Sequence, residues 1–542
     1  MPSVKMKGGK REASLFWRAS LLQIYELSFQ KNERPFFSIG AQTSNSSSAQ
    51  AELVARDCRA AQKMGMNTLA AAVTWELLEP NEGVYSFDQI DMLIRTTEEY
   101  GLCLVVLWFG TWKNGNSHYV PGWLKKDRKR FCWAVTADGT PVRTLSPHCE
   151  ATWQADKTAF LALCRHITET DIKGTVIAIQ IENEPGLIGT MRDYSENATA
   201  LYNAPVPSEV EALMKKSGTW EDVYGFYAPE YFTAYHIARY IDGIALAARE
   251  VTALPFYVNT WLQEMHNQVP GIDYPSGGPV SRTFPLFKMA TPHIEALAPD
   301  IYLQEFQTVE ALHQTYSSMG NPYYLPETLF SELAMVNAIR GIVKYGLCGV
   351  HVFGIDMVID EQENIRPVAQ GAVAGAKILS AMRPLIEKDQ GSPRLFAVGQ
   401  YDGASEQYID FGNYIGSVRF KKDLGDWMKK PGSGLDALLG KPAPIRGMGL
   451  IWYNGTNEFY MAGTGWRLML FPKTNSIRTT NATHSDDFLN QRSQAFLTVE
   501  EGVFDEDGVF CPNFRRNGDE ADYGFGVELT NGVLHVVMDE TF

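Results

Sequence analysis

Between residues 36 and 385 short apolar runs alternate with amphipathic stretches, a pattern that few folds can use. The apolar runs are FFSIGAQ (36–42), TLAAAV (68–73), CLVVLWF (103–109), TVIAIQIE (175–182), FYVNTW (256–261), ALAPDIY (296–302), YYLPE (323–327) and GVHVFG (349–354). They are apolar almost throughout, as strands buried on both faces are. AELVARDCRAAQKMG (51–65), with Gly65 as its C-cap, reads as a helix, as do FDQIDMLIRTTEEYG (87–101) and WQADKTAFLALCRHITET (153–170). AGAKILSAM (374–382) reads as the closing helix. Eight such alternations predict an α/β fold, a parallel sheet closed as a (β/α)8 TIM barrel over residues 31–385.

The charged, Gly- and Pro-containing stretch IEKDQGSPR (386–394) marks a boundary. Beyond it the periodicity turns to short β-rich segments such as GSVRF, WRLMLF and GVLHVVMD, which predicts a β-sandwich-like accessory domain over residues 395–542. Residues 1–30 read as a tail or an added strand.

Charge and composition narrow the function. A net charge of −15 excludes a general nucleic-acid binder, which needs basic surface against phosphates, and gives no attraction to anionic membranes. No run of 18 apolar residues occurs, so no membrane span is expected, and polar residues break every apolar run of the first 30, so no signal peptide is expected. Seven scattered cysteines without a CxxC pair predict reduced thiols and a cytoplasmic setting. His148, Cys149 and Glu150 adjoin without ligand spacing, and no phosphate-binding glycine loop stands between strand and helix. Neither a metal nor a cofactor is therefore expected.

In a barrel the reacting groups come from the C-terminal ends of the strands. Glu184 follows strand four and Glu327 ends strand seven. A glycosidic bond is cleaved between two carboxyl groups, and a separation of about 5–5.5 Å leads through a covalent glycosyl-enzyme with retention. In that reading Glu184 and Glu327 are the two carboxyls, one the acid/base and the other the nucleophile, with Asn183 beside Glu184. Tyr302 would hold Glu327. Asn259 and Trp261 after strand five, Trp112, Lys113 and Asn114 after strand three, and Glu76 after strand two would contact the sugar. Glu79 and Asp356 read as organisers of their turns.

Asn-Glu after strand four with Glu after strand seven resembles the large clan of barrel glycosidases. IQIENEPG resembles the QVENEYG run of the family 35 β-galactosidases, and TWELLEPNEGVYSFDQID (74–91) resembles that family's W-x-x-x-E-P segment. LWFGTWKNG (107–115) and YPSGGPVSR (274–282) are similar to bacterial members with a β-rich C-terminal region, and LPETLF around Glu327 is similar to family 42. The resemblance implies that Glu184 is the acid/base and Glu327 the nucleophile of a retaining, exo-acting β-galactosidase acting on oligosaccharides, with Asn183 a donor to the sugar 2-hydroxyl, in a protein that can self-associate. A β-glucosidase or a transglycosylase would use the same two glutamates. A noncatalytic sugar-binding protein could dispense with one of them, and a metal-dependent hydrolase would need a His/Asp cluster at the strand ends.

Overall fold

The computed structural model describes residues 4–6, 29–31, 34–421, 445–473, 495–516, 521 and 524–539. Eight parallel strands form one sheet: β1 (Ser38–Gln42), β2 (Thr68–Thr74), β3 (Cys103–Lys113), β4 (Val176–Asn183), β5 (Phe256–Trp261), β6 (Ala296–Ile301), β7 (Glu327–Thr328) and β8 (Gly349–Phe353). Neighbours pair in chain order, and β8 returns to β1 with Val350 opposite Ile39. The last seam closes ahead of β7. Leu325 bridges Val350 in parallel, donating its N–H to Gly349 and accepting from His351. The sheet is therefore a barrel without an open edge.

A helix follows each strand: α1 (Ala51–Lys63), α2 (Asp88–Glu99), α3 (Glu150–Thr170), α4 (Ala228–Ala248), α5 (Phe284–Ala290), α6 (Phe306–Tyr316), α7 (Glu332–Tyr345) and α8 (Gln370–Asp389). The last runs four residues past the boundary expected at 385 and carries Pro384 inside it. Two layers of apolar packing result. Ile39, Leu69, Leu104 and Val258 face the helices, while Ala70, Ala72, Val105, Leu107, Ala298 and Tyr257 fill the bore. One polar layer interrupts the bore: His351 bonds to Ser38 Oγ at 2.8 Å and to Tyr324 Oη at 2.9 Å. Gly40 makes room for that ring, since a Cβ there would lie 2.5 Å from His351 Nε2.

Val4–Met6 pairs antiparallel with Phe29–Lys31, which pairs with Arg34–Pro35. Lys31 Nζ reaches Cys103 Sγ at 3.0 Å, so this small sheet sits at the end of the barrel where β3 begins. The rest of the expected tail, residues 1–3 and 7–28, lies outside the described residues.

The C-terminal region is one antiparallel sheet of β9 (Leu395–Gly399), β10 (Glu406–Asp410), β11 (Tyr414–Phe420), β12 (Met448–Tyr453), β13 (Glu458–Pro472), β14 (Phe496–Phe504), β15 (Phe510–Arg515) and β16 (Phe525–Met538). The first half of β13 pairs with β12 and its second half with β11. Irregular pairing with β16 falls between those halves, around Gly463, so the sheet folds over its own core of Val418, Phe459, Trp466 and Val536. The outer face does not cap the barrel. Leu395, Met448, Leu450, Trp452 and Val533 join the core of the barrel helices, and Trp452 donates to Asp389 at 2.7 Å. Tyr401 stacks edge-on against Phe306 at the start of α6, which ties the domain to the elements that follow β6 and β7.

Candidate active site

Strand β4 ends in Ile181-Glu182-Asn183 with Glu184 next in the chain, and the backbone leaves the strand conformation there. Glu182 has φ +63° and Glu184 φ +45°. Left-handed backbone costs a non-glycine residue roughly 1–2 kcal/mol, so it persists only where neighbours hold it. They do. Glu182 accepts the Trp112 N–H at 2.6 Å, and Glu184 donates its own N–H to Asn259 Oδ1 at 2.8 Å. The carbonyls of Asn183 and Glu184 accept from Asn114 and Gly115 at 3.1 and 3.2 Å. Strand β3 supplies these last donors because its pairing with β4 slips between Trp108 and Lys113, which brings Lys113 beside Asn183.

Three carboxyl groups meet above the bore. Oxygens of Glu184, Asp300 and Glu327 lie within 4.8 Å of one another, and all three residues are buried. Asp300 stands level with Glu327 in the sheet. Tyr302 donates to Glu327 Oε2 at 2.7 Å, and Asn259 Nδ2 donates to Asp300 Oδ2 at 2.7 Å. Glu184 Oε2, Asp300 Oδ1, Glu327 Oε1 and both side-chain polar atoms of Asn183 are buried without a protein partner. Orphaned polar atoms gathered at one rim are what a polyhydroxylated ligand would satisfy.

The electrostatics follow from this crowding. Burial, and then the Glu327 charge, push Glu184 up to about 7, while Lys113 pulls it back. Burial and the two glutamates drive Asp300 far above the carboxylate range. Tyr302 is raised by burial and by Glu327, so it remains a neutral donor. A cation would meet three carboxylates here with no histidine or cysteine among them, and Lys113 already places a positive charge beside Glu184 and Asp300.

The remaining expected contact residues have other partners or stand beside the cluster. Trp112 is fully buried and packs edge-on against Tyr240 of α4 at 4.7 Å. The slipped pairing of β3 sets its indole against that helix. Asn114 (φ +52°) is a turn residue that staples β4, and Asn259 spends its amide on Glu184 and Asp300. Glu76 is half-exposed and 3.7 Å from Lys125, outside the carboxyl cluster. Trp261 is partly exposed and level with Asp300. Glu79 binds Trp75 Nε1 and the Gly83 N–H, and Asp356 accepts from Ser44, as turn organisers do.

Two acidic residues escaped the sequence reading. Asp300 sits inside an apolar run and two residues before a more conspicuous tyrosine; its place as the last inward residue of β6 was the available signal. Glu182 precedes the Asn-Glu pair and reads as strand. It is buried against Asp156, which also accepts from Trp108, Thr111 and Tyr240.

Residues 28–230 match glycosyl hydrolases family 35, a span that contains Glu184 and ends before Glu327. The chain is a glycoside hydrolase, similar over that span to family 35. In this glycoside hydrolase, residues 376–528 match a domain of unknown function, DUF5597. No curated protein matches it by sequence. Similar solved structures include the catalytic domain of a β-amylase from Paenibacillus polymyxa, at 14% identity over 62% of this chain and 97% of that one, TM-score 0.48. A β-galactosidase from Rahnella sp. R3 is similar at 15% identity over 65% of this chain and 57% of that one, TM-score 0.47. One from the psychrophilic Marinomonas ef1 is similar at 12% identity over 65% and 60%, TM-score 0.46. The hydrolase thus covers less than two thirds of the length of these two β-galactosidases. No described helix is long and apolar enough to cross a membrane.

Proposed function

We propose that this glycoside hydrolase works with retention, as an exo-acting β-galactosidase that removes terminal β-linked galactose from oligosaccharides. The spacing of the carboxyls carries the mechanism. Oxygens of Glu184 and Glu327 within 4.8 Å suit a nucleophile and an acid/base, whereas inversion needs about 6.5–9.5 Å to seat a water. Glu327 attacks the anomeric carbon as the bond to the leaving oxygen breaks, and Glu184 passes its proton to that oxygen. Once the Glu327 charge is consumed in the ester, the second influence that raised Glu184 is gone, and its carboxylate takes a proton from water. Water then attacks the anomeric carbon and frees Glu327. Asn183 would donate to the sugar 2-hydroxyl and Trp261 would stack on the ring. The galactose assignment rests on the family 35 likeness. The unpaired cysteines fit a reducing, cytoplasmic setting.

A panel of nitrophenyl β-glycosides, given to the wild type and to Glu327→Gly with azide, tests this. The α-glycosyl azide from the variant is the expected product, because removing the nucleophile opens the α face to the anion. A β-azide would reverse the two roles. Preference for a β-glucoside, or transfer to an added sugar, would replace the substrate assignment. An inert wild type that still binds sugar would leave a noncatalytic binder.

A further inference from the structure

The third carboxyl has no part in a two-carboxylate reaction, yet its oxygen lies within 4.8 Å of both members. Asp300 Oδ2 is spent on the Asn259 amide, so Oδ1 is the oxygen left for the other two carboxyls. Oxygens of Asp300 and Glu184 lie within 4.8 Å of each other, and each residue presents a buried oxygen that receives no protein donor. Two facing acceptors out of water repel unless a proton lies between them. Around Asp300 stand Lys113 from β3, Glu184 after β4, Tyr257 from β5, Tyr302 after β6, Tyr316 from α6, Tyr324 ahead of β7, and Glu327. Lys113 is the single cation among these groups, too little to hold three ionised carboxylates at this spacing.

We infer that Asp300 is a positioning residue, a neutral carboxyl whose Oδ1–H donates to Glu184 and stabilises that side chain as it gives up its proton. The inference rests on Glu184 being the acid/base. In the resting site Glu184 keeps its own proton for the leaving oxygen and accepts from Asp300 with its other oxygen. As the glycosidic bond breaks, the Glu184 proton moves to the leaving group and negative charge gathers on the acceptor. A hydrogen bond to a charged acceptor is about twice as strong as a neutral one, so the contact favours the transition state over the ground state. Asp300 keeps its proton throughout. Asn259 fixes the arrangement by holding the Glu184 backbone with one end of its amide and Asp300 with the other.

Two substrates of the same sugar test the idea: an alkyl or simple aryl glycoside, whose departure needs the acid, and a dinitrophenyl glycoside, whose departure does not. Asp300→Ala should lower kcat/KM on the first about 10–100-fold, the worth of one charge-assisted hydrogen bond, and on the second only a few-fold. Asp300→Asn, which keeps a neutral donor in the same place, should recover most of the loss. If the alanine variant does not fold, Asp300→Val supplies a donor-free residue of similar volume. An equal loss on both substrates would overturn the inference, as would an asparagine variant as poor as the donor-free one, because a charged acceptor for a sugar hydroxyl would then be the role. Activity lost to a chelator and restored by magnesium or calcium would also overturn it. Glu184→Gln on the same pair separates the two layers. If it fails to discriminate the substrates, the reading of Glu184 falls; if it discriminates and Asp300→Ala does not, only Asp300 is misassigned.

Discussion

Asn259 accepts the main-chain N–H of Glu184 at 2.8 Å, so strand β5 holds in place the residue that follows strand β4. Removing the amide leaves that N–H buried and unpaired, at a cost of about 1–3 kcal/mol. Asn259→Ala should therefore lower both the melting temperature and kcat. Asn259→Asp should be worse at neutral pH, because it sets a carboxylate against Asp300, and should recover as the pH falls and the new group is protonated. Thermal scans and rate profiles from pH 5 to about 8 check the crossover.

Glu184 must be protonated to act as the acid, and its carboxyl is pushed up to about 7. The basic limb of kcat/KM should therefore fall about tenfold per pH unit above that value. Lys113 lowers this group, so Lys113→Met should move the basic limb to higher pH. A limb that stays in place would separate Lys113 from the acid. The measurement is a pH profile of nitrophenyl glycoside cleavage for both proteins.

Tyr302 donates to Glu327 at 2.7 Å and fixes the orientation of that carboxylate. Tyr302→Phe keeps the ring and deletes the donor. The loss of a hydrogen bond to a charged group, about 1.5–3 kcal/mol, should lower kcat roughly 10–100-fold. Stopped-flow measurement of the first turnover should show the loss in formation of the glycosyl-enzyme.

Glu182 and Asp156 form a buried carboxyl pair behind β4, and burial followed by Asp156 raises Glu182. A carboxyl raised in the folded state binds more protons there than in the unfolded chain. Its contribution to stability is thus present at low pH and lost as pH rises from the ordinary carboxyl value through the raised one. Glu182→Gln should flatten that decline and melt above the wild type at pH 8, while still accepting from Trp112. Glu182→Ala should melt below it at every pH. Calorimetry across pH checks both.

The two tryptophans expected near the sugar should separate experimentally. Trp112→Phe should lower the melting temperature and leave KM near its wild-type value, since the indole packs against Tyr240. Trp261→Ala should raise KM several-fold with little loss of stability, as a stacking platform would.

The barrel was legible in the sequence because burial on both faces leaves a strand no choice but continuous apolar residues, and β3 and β4 show this in CLVVLWF and TVIAIQI. Glu184 and Glu327 stood out because the first closely follows such a run and the second ends one. Helix α4 did not, since Phe232, Ile237, Ile241 and Ala245 are buried around much of its circumference and the amphipathic period is blurred. The roles of Trp112, Asn114 and Asn259 were decided by tertiary structure. A slipped pairing between β3 and β4 sets which way Trp112 points, and the Glu184 N–H that the Asn259 amide accepts lies 75 residues earlier, just past β4. Asp300 shows the same division. Its sequence places an acid at the end of a strand, but only closure of the barrel brings it to Glu184 and Glu327, and charge interaction depends on distance through space rather than along the chain.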